Sequence, residues 1–388
     1  MHNHIFNLSP FHVRIRRNMK NQQQGISRHT VNLSYRCLKQ MINVVHDLQS
    51  LCENPAYPAK LPKLPGNAQV NPKYFSVLMG YDFHIDDTQQ AKLIEVNTNA
   101  GGLWFVTRCY QPDAIQYPSK LADKLLTTFL QEYRLFRQDP NAQPHLIAII
   151  DHLPEQQFLY PEMRVFAQLF QQVGIKTVII DPGQVEMQGT KLYYQDQAID
   201  LIYNRHCDFY LNTTEMQHIA NAWQQQSVCL TPNPRIYGLL ADKQRMVDWS
   251  HPEFFNGLLA PAIASRLQQA IPHTQLLSSL SKDTLWSGRK DKVFKPTTSY
   301  ASQGVYVGDK LTKNKLSSLM PETTLVQQHI KPTITFTPDG EKFKTDFRLF
   351  VYRKTILAIS ARLYQGQVTN LRTANGGFSK IKLTSTQA

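Results

Sequence analysis

The sequence predicts an α/β or α+β fold with at least two sheets, and three features carry that expectation. Residues 145–181 alternate an apolar strand, an amphipathic helix and a second apolar strand, the rhythm of a parallel sheet. Residues 292–362 hold a series of short apolar or alternating strands. Residues 74–96 read as two strands joined by a polar turn. The length of 388 residues fits two or three domains, and a hydrophobic content of 42% is ample for their cores. A charged fraction of 18% is too low for a disordered chain.

Residues 1–30 read as irregular. A helix follows, with Met41, Val44, Val45, Leu48 and Leu51 on one face. Asn54–Pro72 is proline-rich and reads as a loop. Tyr74–Phe83 and Ala91–Val96 are the paired strands, with Asp86–Gln90 as their turn. Leu121, Leu125, Phe129, Tyr133 and Phe136 share a helix face, which Asp139-Pro140-Asn141 ends. His145–Asp151 is a buried strand, Pro161–Val173 a helix closed by Gly174, and Lys176–Asp181 a strand. Lys191–Tyr194 and Ala198–Tyr203 continue in strand style, up to a boundary at Thr231-Pro-Asn-Pro234. Arg235–Asp248 reads as one helix. Strands are expected at Lys292–Lys295, Val305–Val307, Thr324–His329, Phe347–Tyr352 and Thr355–Arg362. The expected organisation is a basic, helical extension (1–70), a strand-pair segment with a helix (71–140), a parallel-sheet α/β domain (141–234) and a C-terminal core (235–388).

The net charge is +13, and seven basic residues from Arg14 to Lys39 precede the first acidic one, Asp47. The expectation is a solvated leader. No zinc-finger, helix-turn-helix or RNP pattern accompanies the charge, which disfavours nucleic acid as a partner. No apolar run reaches the ~18 residues of a membrane helix, and no signal-peptide core opens the chain, so a soluble cytoplasmic protein is expected. The five cysteines are widely spaced and form no C-x-x-C, against a disulfide framework or a thiolate zinc site.

Three constellations could carry chemistry. Gly80-Tyr-Asp82 and Leu93-Ile-Glu95-Val-Asn97-Thr-Asn99-Ala-Gly-Gly102 lie on the two paired strands. Pairing sets Asp82 beside Glu95, and Asn97 shares the face of Glu95, giving a hard oxygen site of the kind Mg²⁺ takes. Lys292-Val-Phe-Lys295-Pro precedes a hydroxyl-rich segment with Ser299, Ser302 and Gly304, a pattern that can hold phosphates without being a Walker A loop. Asp346 and Arg348 share a strand face, Arg362 ends the next strand, and Arg372 precedes Asn375-Gly376-Gly377, residues suited to anion binding.

Together these segments resemble the ATP-grasp superfamily, the fold of glutathione synthetase and the RimK-type ligases. The resemblance covers roughly residues 75–105 and 145–380. Phe294-Lys295-Pro resembles its phosphate-contacting strand, Leu325-Val-Gln-Gln-His-Ile330 its adenine hinge, and Asp242-Lys243 its first lysine. Asp82, Glu95 and Asn97 resemble its magnesium motif, which here precedes everything it should follow, so a circularly permuted ATP-grasp core with a preceding parallel-sheet domain is implied. The resemblance implies ATP and Mg²⁺ as cofactors and an ATP-dependent carboxylate–amine ligase as the activity. Asp82, Glu95 and Asn97 would hold the metal, and Lys243, Lys295, Ser299, Ser302 and Gly304 the phosphates. Gln327, Gln328 and Ile330 would frame the adenine, with Asp346 at the nucleotide site. Lys295, Arg348 and Arg372 would act on the reacting groups. Arg362, Asn375, Gly376 and Gly377 would dock a small-molecule carboxylate or amine. A small-molecule kinase on the same fold, a nucleic-acid-associated protein using the basic arm, and a homodimeric state stay open.

Overall fold

The computed structural model describes residues 25–297, 304–371 and 373–385. The chain enters with β1 (Ile26–Ser34), whose even spacing turns Val31 and Leu33 inward. Helix α1 (Tyr35–Glu53) starts where the Ser34 side chain accepts the Cys37 N–H at 3.1 Å, and it buries the Met41–Leu51 stripe. A hairpin follows, β2 (Met79–Ile85) and β3 (Ala91–Asn97), then α2 (Leu103–Tyr110) and α3 (Ser119–Arg137).

The middle of the chain builds a parallel sheet. Its elements are β4 (Leu146–Ile150), α4 (Tyr160–Gln171), β5 (Lys176–Ile180), a small antiparallel trio β6 (Val185–Gln188), β7 (Lys191–Tyr194) and β8 (Gln197–Ala198), then β9 (Leu201–Asn204), α5 (Gln217–Gln224) and β10 (Cys229–Thr231). The order is β10-β9-β4-β5, all parallel, with β4 buried along its whole length.

Residues 234–248 are not one helix. A short turn (Pro234–Ile236) runs into a π-helix (Tyr237–Ala241), breaks at Asp242-Lys243 and resumes over Gln244–Asp248. Helix α6 (Pro261–Ala270) follows, then a small antiparallel sheet ordered β11 (Thr274–Leu276), β14 (Thr324–Gln328), β12 (Lys292–Pro296), β13 (Tyr306–Val307). The last strands are β15 (Thr333–Phe336), β16 (Lys342–Tyr352), β17 (Thr355–Tyr364) and β18 (Gly377–Thr384).

The largest sheet gathers strands from both ends of the described chain, in the order β1-β18-β17-β16-β2-β3 with β15 beside β16. Phe347 and Leu349 of β16 join Tyr81, Phe83 and the inward stripe of α1 in one core. Asp346 and Arg348 alternate to the opposite face. A second core joins the parallel sheet to α2, α3 and α4, and the small sheet has its own core around Phe294 and Val326.

Several expectations change. Residues 26–53 do not form an appended extension, because β1 and α1 belong to the core of the large sheet. Of the segment read as irregular, residues 26–30 are strand. The strand expected from Tyr74 begins at Met79; upstream, the backbone N–H groups of Phe75 and Val77 go to the Glu132 and Thr231 side chains instead of to a ladder. Helices α2 and α6 and strands β11, β15 and β18 were not anticipated, each being short or polar and set by what it packs against.

Candidate functional site

A cavity of about 660 Å³ lies between the large sheet and the small antiparallel sheet. Its wall includes Asp82, Glu95, Asn97, Lys243, Lys295, Gln327, Gln328, Ile330, Asp346 and Arg362, residues that come from five separate stretches of sequence.

The hairpin register pairs Asp82 with Glu95 and Gly80 with Asn97, so the carboxylates stand side by side. The register also pairs Arg348 of β16 with Asp82, and Arg362 of β17 with Asp346. A continuous ionic chain results. Arg348 donates from Nε and Nη2 to the two Asp82 oxygens, both at 2.6 Å. Arg362 reaches Asp82 through Nη2 at 2.9 Å and Asp346 through Nε at 2.5 Å. Thr369 Oγ1 donates to the other Asp346 oxygen at 2.6 Å, and Arg348 Nη1 donates to the Gly101 carbonyl at 3.3 Å.

Burial alone would raise the Asp82 pKa, but the Arg348 and Arg362 charges override it and hold the carboxyl well below the usual range. Burial works against the Arg362 charge, and Asp346 and Asp82 more than offset it, raising that guanidinium's pKa. Both Asp82 oxygens are therefore committed to guanidiniums, while Glu95 meets Asn97 Nδ2 at 3.3 Å. Arg348 stands behind Asp82, and the guanidinium in the cavity wall is that of Arg362.

The small sheet contributes Lys295. Its ammonium donates to Gln327 Oε1 at 2.7 Å and reaches the Ile94 carbonyl at 3.4 Å, beside Glu95. Burial lowers its pKa to about 8 against the opposing pull of Glu95, with nearby Lys243 adding to the fall. Lys243 enters the wall from the break after the π-helix. Val293, Val307 and Ile330 add apolar surface to the cavity wall. There His84 Nδ1 lies 2.7 Å from the Ile330 carbonyl. A carbonyl only accepts, so Nδ1 carries the proton. Burial lowers this histidine's pKa, which keeps it neutral.

Not every expected residue reaches this cavity. Ser299, Ser302 and Arg372 lie outside the described residues. Gly304 packs against the Pro296 ring at a φ of +70°. Asn375, itself exposed, donates to the half-buried Glu341 carboxylate at 3.2 Å. Gly377 packs instead at the junction of β1 and β18, where an added Cβ would lie 2.3 Å from the Gly25 backbone, and an added Cβ on Gly376 would lie 2.5 Å from the Leu363 carbonyl. The Gln327 amide is turned to Lys295 and Thr274, not to a base.

A second polar centre adjoins the first. Glu162, fully buried, accepts the N–H groups of Gly102 and Trp104 and so caps α2. Arg205, at the end of β9, lies 4.0 Å from Glu162 and donates to the Ala100 carbonyl at 3.4 Å. Arg205 and Arg348 thus grip adjacent carbonyls of one loop. Sequence reading missed Glu162, whose only signal was an acidic residue in the first turn of a helix.

Among the described residues, His152, His206 and Glu215 offer ligand atoms within 4.8 Å of one another. Their arrangement is a hydrogen-bonded bridge. The Asp208 N–H donates to His206 Nδ1 at 3.0 Å, which puts the ring proton on Nε2, facing Glu215 at 2.9 Å. A metal at Nε2 would need the lone pair there.

No protein-family model and no curated protein matches the chain. Among solved structures, a glutathione synthetase-like effector from Globodera pallida, in its apo form, matches with a TM-score of 0.60 at 12% identity, over 97% of this chain and 98% of that one. A Methylobacillus flagellatus protein provisionally assigned as a gamma-glutamylcysteine synthetase matches with a TM-score of 0.49 at 9% identity, over 88% of each chain. Among the described residues, no helix is long and apolar enough to cross a membrane. The chain is mixed α/β with several sheets, and over nearly its whole length its fold is similar to that of the glutathione synthetase-like effector.

Proposed function

We propose that the protein is an ATP-dependent carboxylate–amine ligase with a circularly permuted ATP-grasp core. The observation that carries this reading is the cavity itself. It joins the apolar side chains of Val293, Val307 and Ile330 to Lys243, Lys295, Arg362, Glu95 and Asn97, cationic and oxygen-bearing groups assembled from distant segments. A nucleotide needs both kinds of surroundings. The name of the matching effector agrees with it.

The residues fit a magnesium nucleotide. Glu95 and Asn97 share a face of β3 and supply oxygen donors, the class Mg²⁺ prefers. Asp82, held by two arginines, serves to anchor them. When bound, the ion would offset charge on the β- and γ-phosphates. Lys243 and Lys295 would bind the phosphates, and Val293, Val307 and Ile330 would enclose the base. A substrate carboxylate oxygen would attack the γ-phosphorus, releasing ADP. The amine would then attack the acyl phosphate carbon, lose its proton and expel phosphate, leaving an amide. Arg362 sits in the wall to neutralise that developing charge.

The test is ATP turnover with Mg²⁺ against pooled amino acids and dipeptides, for the wild type and Glu95→Gln. Substrate-dependent release of ADP and phosphate that vanishes in the variant is expected. Equal release from both proteins, or none together with no magnesium-dependent ATP binding, would remove the reading.

A further inference from the structure

We infer that Gln327 is a positioning residue for Lys295, holding its ammonium with a neutral acceptor so that the full charge stays available to a polyphosphate. The inference rests on the nucleotide reading of the cavity and adds a residue to it.

The backbone sets the pair up. In the antiparallel ladder Val293 faces Gln327 and Lys295 faces Leu325, so Lys295 and Gln327 are diagonal neighbours on one face. Both are buried. Next to them, β11 pairs Thr274 directly with Gln327.

Hydrogen bonding then fixes which way the amide points. The Thr274 hydroxyl has one proton, and it donates that proton to the Pro272 carbonyl at 2.8 Å. Toward Gln327 it can only accept, and it takes the Nε2 proton at 3.1 Å. The amide oxygen must therefore face the other way, where Lys295 donates to it at 2.7 Å. The chain Lys295, Gln327, Thr274, Pro272 runs in one direction with a donor and an acceptor at every link.

The choice of an amide matters. A carboxylate here would form an ion pair with Lys295 and cancel much of its charge. It would also set a carboxylate oxygen against the Thr274 oxygen, whose proton is already committed. Among the described residues, an apolar side chain would leave the ammonium the longer contact to Ile94 alone.

The experiment measures binding of Mg-ATP and of adenosine by calorimetry, with a thermal melt for each protein. The proteins are wild type, Lys295→Met, Gln327→Glu, Gln327→Met and the Lys295→Met/Gln327→Met double variant. Gln327→Glu should weaken Mg-ATP roughly tenfold to a hundredfold, and Gln327→Met about threefold to tenfold. Adenosine, which has no phosphates, should bind each Gln327 variant like the wild type. In the Lys295→Met background, Gln327→Met should add nothing, because the group it positions is gone. If Gln327→Glu does not fold, Gln327→Met and the double variant carry the test. Wild-type Mg-ATP affinity in the folded Gln327 variants, with binding lost in Lys295→Met, would overturn this role and leave the nucleotide reading standing. Equal losses for ATP and adenosine would overturn it in favour of a purely structural glutamine. Wild-type Mg-ATP binding by Lys295→Met would bring down the nucleotide reading and this inference with it.

Discussion

Strand β16 meets one buried carboxylate near its middle and another at its last residue, and the fold treats the two in opposite ways. Near Arg348, Asp82 is 1% exposed and lies between two guanidiniums. Near Tyr352, Glu132 is 0% exposed and accepts from the Tyr352 hydroxyl and the Phe75 N–H, each at 2.5 Å, with Arg353 farther off at 3.6 Å. Burial dominates at Glu132 and raises its pKa, while at Asp82 the arginines win and lower it. Depth is the same at the two places, so the partners decide the charge. The carboxylate that keeps its charge borders the cavity, and the one inclined to lose it joins β16 to α3 and the segment before β2.

The sharpest way to break this contrast is Asp82→Ala. It leaves two buried guanidiniums without their shared partner, and about 3–5 kcal/mol of stability should go. Urea denaturation measures it; a loss under about 1 kcal/mol would mean that the arginines find water or other acceptors. Gly377→Ala comes next. At a φ of +104°, with Gly25 backbone 2.3 Å from the added Cβ, it should cost about 2 kcal/mol or more and leave Mg-ATP affinity unchanged. A variant of normal stability that fails to turn over substrate would return this turn to the binding site. Glu132→Gln should cost less, about 1–2 kcal/mol, because the amide keeps the shape and one acceptor oxygen for the two donors that face it.

The pH dependence of unfolding separates the two carboxylates further. The folded Asp82 pKa lies below its ordinary 3.8, so its stabilisation is present above about pH 4 and is lost as the pH falls through the folded value. The stability gap between wild type and Asp82→Asn should therefore widen as the pH rises from about 3 to 5. Glu132 has the reverse sign. Its folded pKa lies above the ordinary 4.5, so its contribution is present below that value and is lost as the pH rises through the folded one. The gap between wild type and Glu132→Gln should stay level below about pH 4.5 and shrink as the pH rises from there through the folded value. Parallel slopes for the two gaps would show that the two carboxyls titrate alike.

Much of the site was legible because its chemistry is local. Asp82, Glu95 and Asn97 sit on one hairpin, where turn and period fix the pairing. Asp346 and Arg362 were each legible, on adjacent strands of the next hairpin, but their partnership is set by the register of β16 with β17. What was not legible depends on contacts between distant segments. Gln327 looked like a base-reading residue until Thr274 and Lys295 claimed both ends of its amide. Gly376-Gly377 looked like an anion turn, yet Gly377 lets the backbone of residue 25 approach and Gly376 does the same for the Leu363 carbonyl. Strand β1 hid its alternation among polar outward residues, and its partner lies some 350 positions later, beyond any local signal.

That last pairing also governs when the molecule can assemble. Strand β1 runs parallel to β18, and between them in sequence lie the whole parallel sheet and the whole small sheet. At ordinary ribosomal speeds of about 5–20 residues per second, β1 waits roughly twenty seconds to a minute for its neighbour to be made. The hairpin β2–β3 waits almost as long for β16. The parallel sheet draws its strands from one contiguous stretch and can form while the rest is still being synthesised. The sheet that floors the cavity is therefore the last part of the protein to close. During that interval its unpaired edges, more than any surface of the finished fold, are where association with other chains would begin.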